Sequence, residues 1–361
     1  DSTIIADPGA GEVPEAIRAL GVEVIQIPMK KLARAVSLGR PNMVALGLVA
    51  HWLDFCADAA AELVRQTFGR KGDEVVAGSI GAFTAGFTEP SIVLARAART
   101  LPGRDQCADD GEKWDLSGNE GCGLGALRGG IRFAAAYPIT PASDLLEWLA
   151  PRLHKLGGSL VQAEDELASI NMVIGASFGG IPSMTATSGP GLALMLESLG
   201  LSVASETPAV VVNVMRGGPS TGIPTKSEQV DLNIALLGMH GDAPHLVLGA
   251  LDHADCVLTT EWSVRLSEAL QTVAIVLTDQ SLAQSRALIP APDYQLPRVP
   301  PRRVAGADEA YQRYEITADG VSPMAVPGTP CSTYVADGLE HTETGKPSTA
   351  AADHARQLDK R

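Results

Sequence analysis

The chain has 361 residues, 45% of them hydrophobic and 4% aromatic, and a net charge of −14. That length suffices for about two domains with cores of Ala, Val, Leu and Ile, and the acidic balance excludes a broad basic face for nucleic acid or anionic membrane. No apolar run reaches the roughly 18 residues that span a bilayer and no signal peptide opens the chain, so the expected compartment is the cytoplasm.

In chain order, the pattern predicts a strand over 22–28 and helices over 42–55, 59–68 and 74–87. One strand and several helices cannot close a doubly wound sheet, so this part reads as the later portion of an α/β domain, 1–95. A polar stretch follows, and 96–117 reads as a linker. From 118 to 290 helices and strands alternate: helix 120–128, strand 131–136, helix 143–156, strand 159–163, helix 166–178, strand 183–187, helix 192–204 and strand 209–215. A helix near 229–237, strand 245–248, helix 254–270 and strand 273–277 complete the run. Such alternation predicts βαβ units and a parallel sheet. Beyond Pro290 the periodicity stops, and 291–361 reads as an extended arm over its own or a neighbouring subunit.

Four strand ends carry residues suited to chemistry. Tyr137-Pro138-Ile139-Thr140-Pro141 presents the Thr140 hydroxyl on a turn stiffened by two prolines. Glu164 follows the next strand directly, whereas Asp165 and Glu166 read as solvated helix-start residues. Ser188-Gly189-Pro190-Gly191 opens a helix after the third strand, where backbone amides can bind an anion or polar ring; a tight βα turn accounts for the glycines almost as well. Arg216 follows the most hydrophobic strand and is placed to clamp a carboxylate. Groups converging from several strand ends are how α/β sites are assembled.

Two absences and one decoy bound the chemistry. The cysteines, Cys56, Cys107, Cys122, Cys256 and Cys331, are never spaced as CxxC, and no HExxH pairs the histidines, so no metal is expected on this chain alone. Gly121-Cys122-Gly123-Leu124-Gly125-Ala126 satisfies the dinucleotide fingerprint G-x-G-x-x-A, but the preceding 114–120 reads as polar linker rather than buried strand. NAD is therefore rejected, and small residues packing a helix account for the glycines.

Gly118-Asn119-Glu120, YPITP, QAED, TSGPG and RGGPSTGIPTKSEQVDL stand in the order and at the spacing found in 2-oxoacid:ferredoxin oxidoreductases. The chain resembles their α subunit, 2-oxoglutarate type, whose core is the pyrimidine-binding domain for thiamine diphosphate. Residues 1–95 resemble the C-terminal part of the γ domain, at PNMVALG and FGRKG, which implies a γ–α fusion. The resemblance implies that Glu164 hydrogen-bonds N1′ of the cofactor's aminopyrimidine, which demands a desolvated site. It implies that Thr140 and Arg216 hold the substrate's C1 carboxylate, with Tyr137, Pro138, Ile139, Ser188 and Gly189 at the cofactor. The GDG…N motif for diphosphate and magnesium is absent, as are cysteines for a four-iron–four-sulfur cluster. Both are expected on a β subunit, giving an (αβ)2 complex that uses coenzyme A and ferredoxin. The start of the γ part and a second α domain are missing from the pattern, so either a fragment or a chain that has shed modules is expected. The alternatives are a pyruvate or other 2-oxoacid enzyme subunit, and a truncated, non-catalytic assembly subunit.

Overall fold

Val-rich Ala209–Met215 is the centre of the architecture. All seven of its residues are buried, as a strand covered on both faces requires, and β-branched side chains suit that pleated surface. The computed structural model describes residues 3–97, 112–307 and 310–361, divided into two compact units, 1–108 and 109–361. Cys107 and most of the predicted linker lie outside the described residues.

In the first unit β1 (Thr3–Ala6) and β2 (Glu23–Gln26), flanking the short α1 (Glu15–Arg18), form a two-stranded parallel sheet. Then come α2 (Met29–Arg34), α3 (Pro41–Trp52), α4 (Ala57–Phe68), α5 (Asp73–Phe87) and α6 (Pro90–Ala97). Strand β1 and helices α1, α2 and α6 have no counterpart in the elements expected from the sequence. Each is short and lacks the periodicity that reveals longer elements.

The second unit begins with β3 (Lys113–Ser117), which corrects the reading of 96–117 as linker throughout. This strand pairs antiparallel with β10 (Arg286–Pro290), outside the main sheet. Its polar face, with Lys113 and Asp115 exposed, hid it. Helix α7 (Gly118–Gly129) is opened by a capping box between Ser117 and Glu120 and stopped by left-handed Gly130. There follow β4 (Phe133–Ala136), α8 (Ser143–Lys155), β5 (Ser159–Gln162), α9 (Glu166–Phe178), β6 (Ser183–Thr187), α10 (Gly189–Ala204) and β7 (Ala209–Met215). The chain continues through α11 (Leu232–Leu237), β8 (Leu246–Gly249), α12 (His253–Leu270), β9 (Val273–Asp279) and α13 (Gln280–Gln284), then β10.

The six strands form one parallel sheet in the order β5-β4-β6-β7-β9-β8. One face packs Ala134, Met184, Val210, Val212 and Val276 against α7, α8 and α12; the other packs Ala135, Val211 and Ile275 against α9, α10 and α11. Burying a valine in such a layer contributes about 1.5–3 kcal/mol. The chain leaves β4 toward β5 and returns to the other side with β6. Strand order therefore reverses between β4 and β6, and ligands of open α/β sheets bind at such a reversal.

The glycines of the decoy motif are explained by α7 meeting α12. A Cβ on Gly125 would lie 2.2 Å from the Val257 carbonyl, and one on Gly121 would lie 3.0 Å from the Cys256 Cβ. A strand does precede this helix, contrary to the expectation, but it is no member of the parallel sheet.

Beyond β10 the chain runs irregularly over its own unit, held by buried arginines. Arg302 grips Glu268 with a two-point contact at 2.7 and 2.8 Å. Arg313 donates to the Glu206 carbonyl at 2.6 Å and to Gln271 Oε1 at 2.8 Å. The arm closes with α14 (Ala351–Lys360), an addition to the purely extended arm expected. No helix among the described residues is long and apolar enough to cross a membrane.

Gly125→Ala should destabilise the protein by about 2 kcal/mol, because overpacking against a backbone carbonyl cannot be relieved by a rotamer change. Gly175→Ala, in α9 with open space where a Cβ would stand, should be neutral or stabilising by up to about 1 kcal/mol. Paired denaturation midpoints check both.

Candidate active site

The register of the sheet sets the order of side chains along its C-terminal rim. Ala136 pairs with Gln162, and Ala163 N–H donates to the Ala136 carbonyl at 3.0 Å, so Glu164 and Tyr137 leave adjacent strands at one level. Strand β6 follows with Ser188, and β7 with Arg216, Thr187 being the register partner of Asn213. Along the rim the predicted groups thus stand as Glu164, the Tyr137–Pro141 turn, Ser188 and Arg216.

Arg216 and Thr140 are joined directly. Although its strand is two places from β4, the Arg216 side chain donates from Nη1 to the Thr140 carbonyl at 2.6 Å and from Nη2 to the Thr221 carbonyl at 2.5 Å. Arg216 is 6% exposed, and its Nε has no partner among the described residues. Thr140, Tyr137 and Pro138 are exposed, whereas Ile139 packs on the core. The guanidinium read as a carboxylate clamp thus staples two turns to each other, using two of its five N–H groups.

Ser188 is the N-cap of α10 and fully buried, yet its hydroxyl makes no capping bond and has no partner. Gly189 and Arg216 line a common cleft of about 730 Å³, with Pro190, Leu194, Val230 and Asp231. Gly189 and Gly191 owe their identity to packing within the protein. A Cβ on Gly189 would lie 2.7 Å from Asp231 Oδ1, and one on Gly191 would lie 2.1 Å from Thr187 Oγ1.

Glu164 is exposed, as is Asp165, which caps α9 by accepting from Ala168 N–H at 2.7 Å. Glu166 is buried, correcting its reading as a solvated group; it lies against the turn at Gly191. The helix expected from 229 starts at Leu232 instead. Residues 217–231 form a closed loop, pinned by Ser227 to Gln280 at 2.6 Å and by Gln229 to Asp279 at 2.7 Å.

The sequence reading gave no role to three residues here. Asn119, 1% exposed, donates to the Pro141 carbonyl at 2.9 Å. Asn213, fully buried, donates from Nδ2 to Asp231 at 2.8 Å and leaves its Oδ1 without a partner. Burial raises the Asp231 carboxyl above the usual aspartate range, the Asn213 bond offsetting this in part. Asn213 gave a signal of its own, as a polar residue inside an otherwise apolar strand, whereas Asn119 and Asp231 stood within motifs without a stated role.

The unpartnered buried groups at Ser188, Asn213 and Arg216 fit a polar ligand seated at this rim. Residues 124–360 match the family described as "Pyruvate flavodoxin/ferredoxin oxidoreductase, thiamine diP-bdg", and residues 1–89 match "Pyruvate ferredoxin/flavodoxin oxidoreductase". The chain belongs to the pyruvate ferredoxin/flavodoxin oxidoreductase family. It is 39% identical over 261 residues to the 2-oxoacid:ferredoxin oxidoreductase 1 α subunit of Sulfurisphaera tokodaii, covering 68% of this chain and 41% of that one. It is 36% identical over 315 residues to the 2-oxoglutarate oxidoreductase subunit KorA of Mycobacterium tuberculosis, covering 83% and 45%. The solved structure of 2-oxoglutarate:ferredoxin oxidoreductase from Magnetococcus marinus, with 2-oxoglutarate, coenzyme A and succinyl-CoA bound, superposes with a TM-score of 0.84 at 43% identity. That match covers 99% of this chain and 63% of its counterpart. The chain thus spans less than two thirds of the length of these relatives, and it carries their thiamine diphosphate-binding domain.

Asp231→Asn should raise the melting temperature at neutral pH by up to a few degrees, since it keeps an acceptor for Asn213 and removes a desolvated charge. An aspartate with a raised folded pKa adds stability only where it is protonated. The advantage of the variant should therefore be full at neutral pH, shrink as pH falls through the raised pKa, and vanish below the ordinary aspartate value. Melting curves across acid pH check the sign.

Proposed function

We propose that this chain is the α side, with a fused γ portion, of a 2-oxoacid:ferredoxin oxidoreductase that acts on 2-oxoglutarate. The reaction is oxidative decarboxylation with coenzyme A, giving an acyl-CoA and CO2 and delivering electrons to ferredoxin. The observation that carries the reading is the rim itself: a carboxylate, a hydroxyl turn, an unpartnered serine and a buried guanidinium at the ends of β5, β4, β6 and β7, at the strand-order reversal of a thiamine diphosphate-binding domain. Relatives named for 2-oxoglutarate support that substrate.

When bound, thiamine diphosphate supplies the electron sink that a decarboxylation requires. Glu164 would share a proton with N1′ of the aminopyrimidine, and Tyr137, Pro138, Ile139, Ser188 and Gly189 would hold the ring. Thr140 would offer its hydroxyl, and Arg216 its unused N–H groups, to the C1 carboxylate of the 2-oxoacid. Glu164 is exposed on this chain, and sharing a proton in this way needs a desolvated carboxylate. The water-excluding surface is therefore assigned to a β subunit, which also brings the magnesium ion, the diphosphate motif and a four-iron–four-sulfur cluster, in an (αβ)2 complex of the cytoplasm. The low charge complementarity of an acidic chain to nucleic acid keeps that class of partner out of the reading.

In the complex with β, Glu164→Gln should lower turnover of 2-oxoglutarate by a factor of about a hundred or more, the scale of a lost acid–base group. The melting temperature of the chain by itself, on which Glu164 is exposed, should stay within about a degree, as exposed substitutions move stability little. Turnover at the wild-type rate would remove the assignment.

A further inference from the structure

Two consecutive carbonyls of the YPITP turn are held by side chains from different elements. Arg216 donates to the Thr140 carbonyl at 2.6 Å, and Asn119 donates from Nδ2 to the Pro141 carbonyl at 2.9 Å. Both donors are buried, and the Asn119 bond, buried at both ends, does not compete with bulk water. Asn119 is itself rigidly placed. It is the second residue of α7, whose start is fixed by the Ser117–Glu120 capping box and by a 3.1 Å ion pair from Arg286 to Glu120. The helix cannot shift here, because a Cβ on Gly118 would already lie 2.4 Å from the Leu282 carbonyl. The amide also has one workable orientation. Flipped, it would set Oδ1 against the Pro141 carbonyl, two acceptors face to face.

With the carbonyls of residues 140 and 141 both pinned, the backbone that carries the Thr140 side chain has little freedom left. The hydroxyl stands exposed on the rim with only its own rotamer to settle. We infer that Asn119 is a positioning residue: it touches neither substrate nor cofactor, and it aims the Thr140 hydroxyl at the 2-oxoacid by fixing the Pro141 carbonyl. The inference rests on the reading of Thr140 as a substrate contact. It gives the turn a second support, from α7, that is independent of Arg216.

The test uses the natural chain assembled with its β subunit and 2-oxoglutarate as the probe. Asn119→Asp keeps the size and removes the donor; Asn119→Ala removes both. Each should raise the KM and the equilibrium dissociation constant for 2-oxoglutarate by about threefold to tenfold, the range of one lost neutral hydrogen bond, with thiamine diphosphate affinity unchanged. In a Thr140→Val background the same substitutions should have no further effect, because the hydroxyl that they misdirect is gone. An unchanged KM in either single variant overturns the inference, as does an effect of full size in the Thr140→Val background. A joint loss of melting temperature, cofactor affinity and turnover, or failure of both variants to assemble, also overturns it by assigning Asn119 to folding alone. A wild-type complex that does not turn over 2-oxoacids would instead remove the functional reading, and this inference with it.

Discussion

The Arg216 guanidinium is the element on which the geometry of the rim turns. Strand order puts β6 between β4 and β7, so the turns after β4 and β7 share no strand-to-strand hydrogen bonds. One side chain closes that gap, with a carbonyl at each end of its fork. A lysine could reach one carbonyl but not present two fixed donors in a plane, and the planar fork loses little freedom in doing so. The carbonyls it takes belong to Thr140 and Thr221, hence to the turn after β4 and the loop after β7.

Around that fork the domain tolerates an unusual load of polar groups without partners. Among the described residues, Ser188, Asn213 and Arg216 each keep one buried atom unsatisfied, and Asp231 keeps a carboxylate with no cation beside it. Each unmet buried group costs on the order of 1–3 kcal/mol. The parallel sheet below offsets this, with both faces of β7 and β9 in dense apolar layers.

Much of this was legible in the sequence, for reasons that vary by element. Long helices such as α9 and α10 and strands such as β6 and β7 carry strong periodicity or continuous apolar runs, and their limits were nearly as read. Strand β3 was hidden because half of it faces solvent, and β1, α6, α13 and α14 were too short or too polar to stand out. At the site, rim positions followed from the rule that the residue after a parallel strand lies at the sheet's edge, which places Glu164, Ser188 and Arg216. What could not be read were contacts between distant segments. Nothing near Asn119 announces Pro141, and nothing near Asp231 announces that it fills the space beside Gly189. Glu166 looked like a solvated helix-start acid because its burial depends on a turn formed by a different strand.

The arm after Pro290 has little regular structure for most of its length, yet its fastenings include two arginines with almost no solvent contact, Arg302 and Arg313. A hydrophobic strap can slip by a residue and find new apolar neighbours. A strap fastened by buried guanidiniums cannot, because every slipped register strands a charge away from its acceptors. The spacing between the two arginines therefore works like the pitch of a key, so the arm seats in a single register or not at all. Insertions between Arg302 and Arg313 would be felt at both fastenings at once, whereas changes in the exposed stretches beyond them would pass unnoticed.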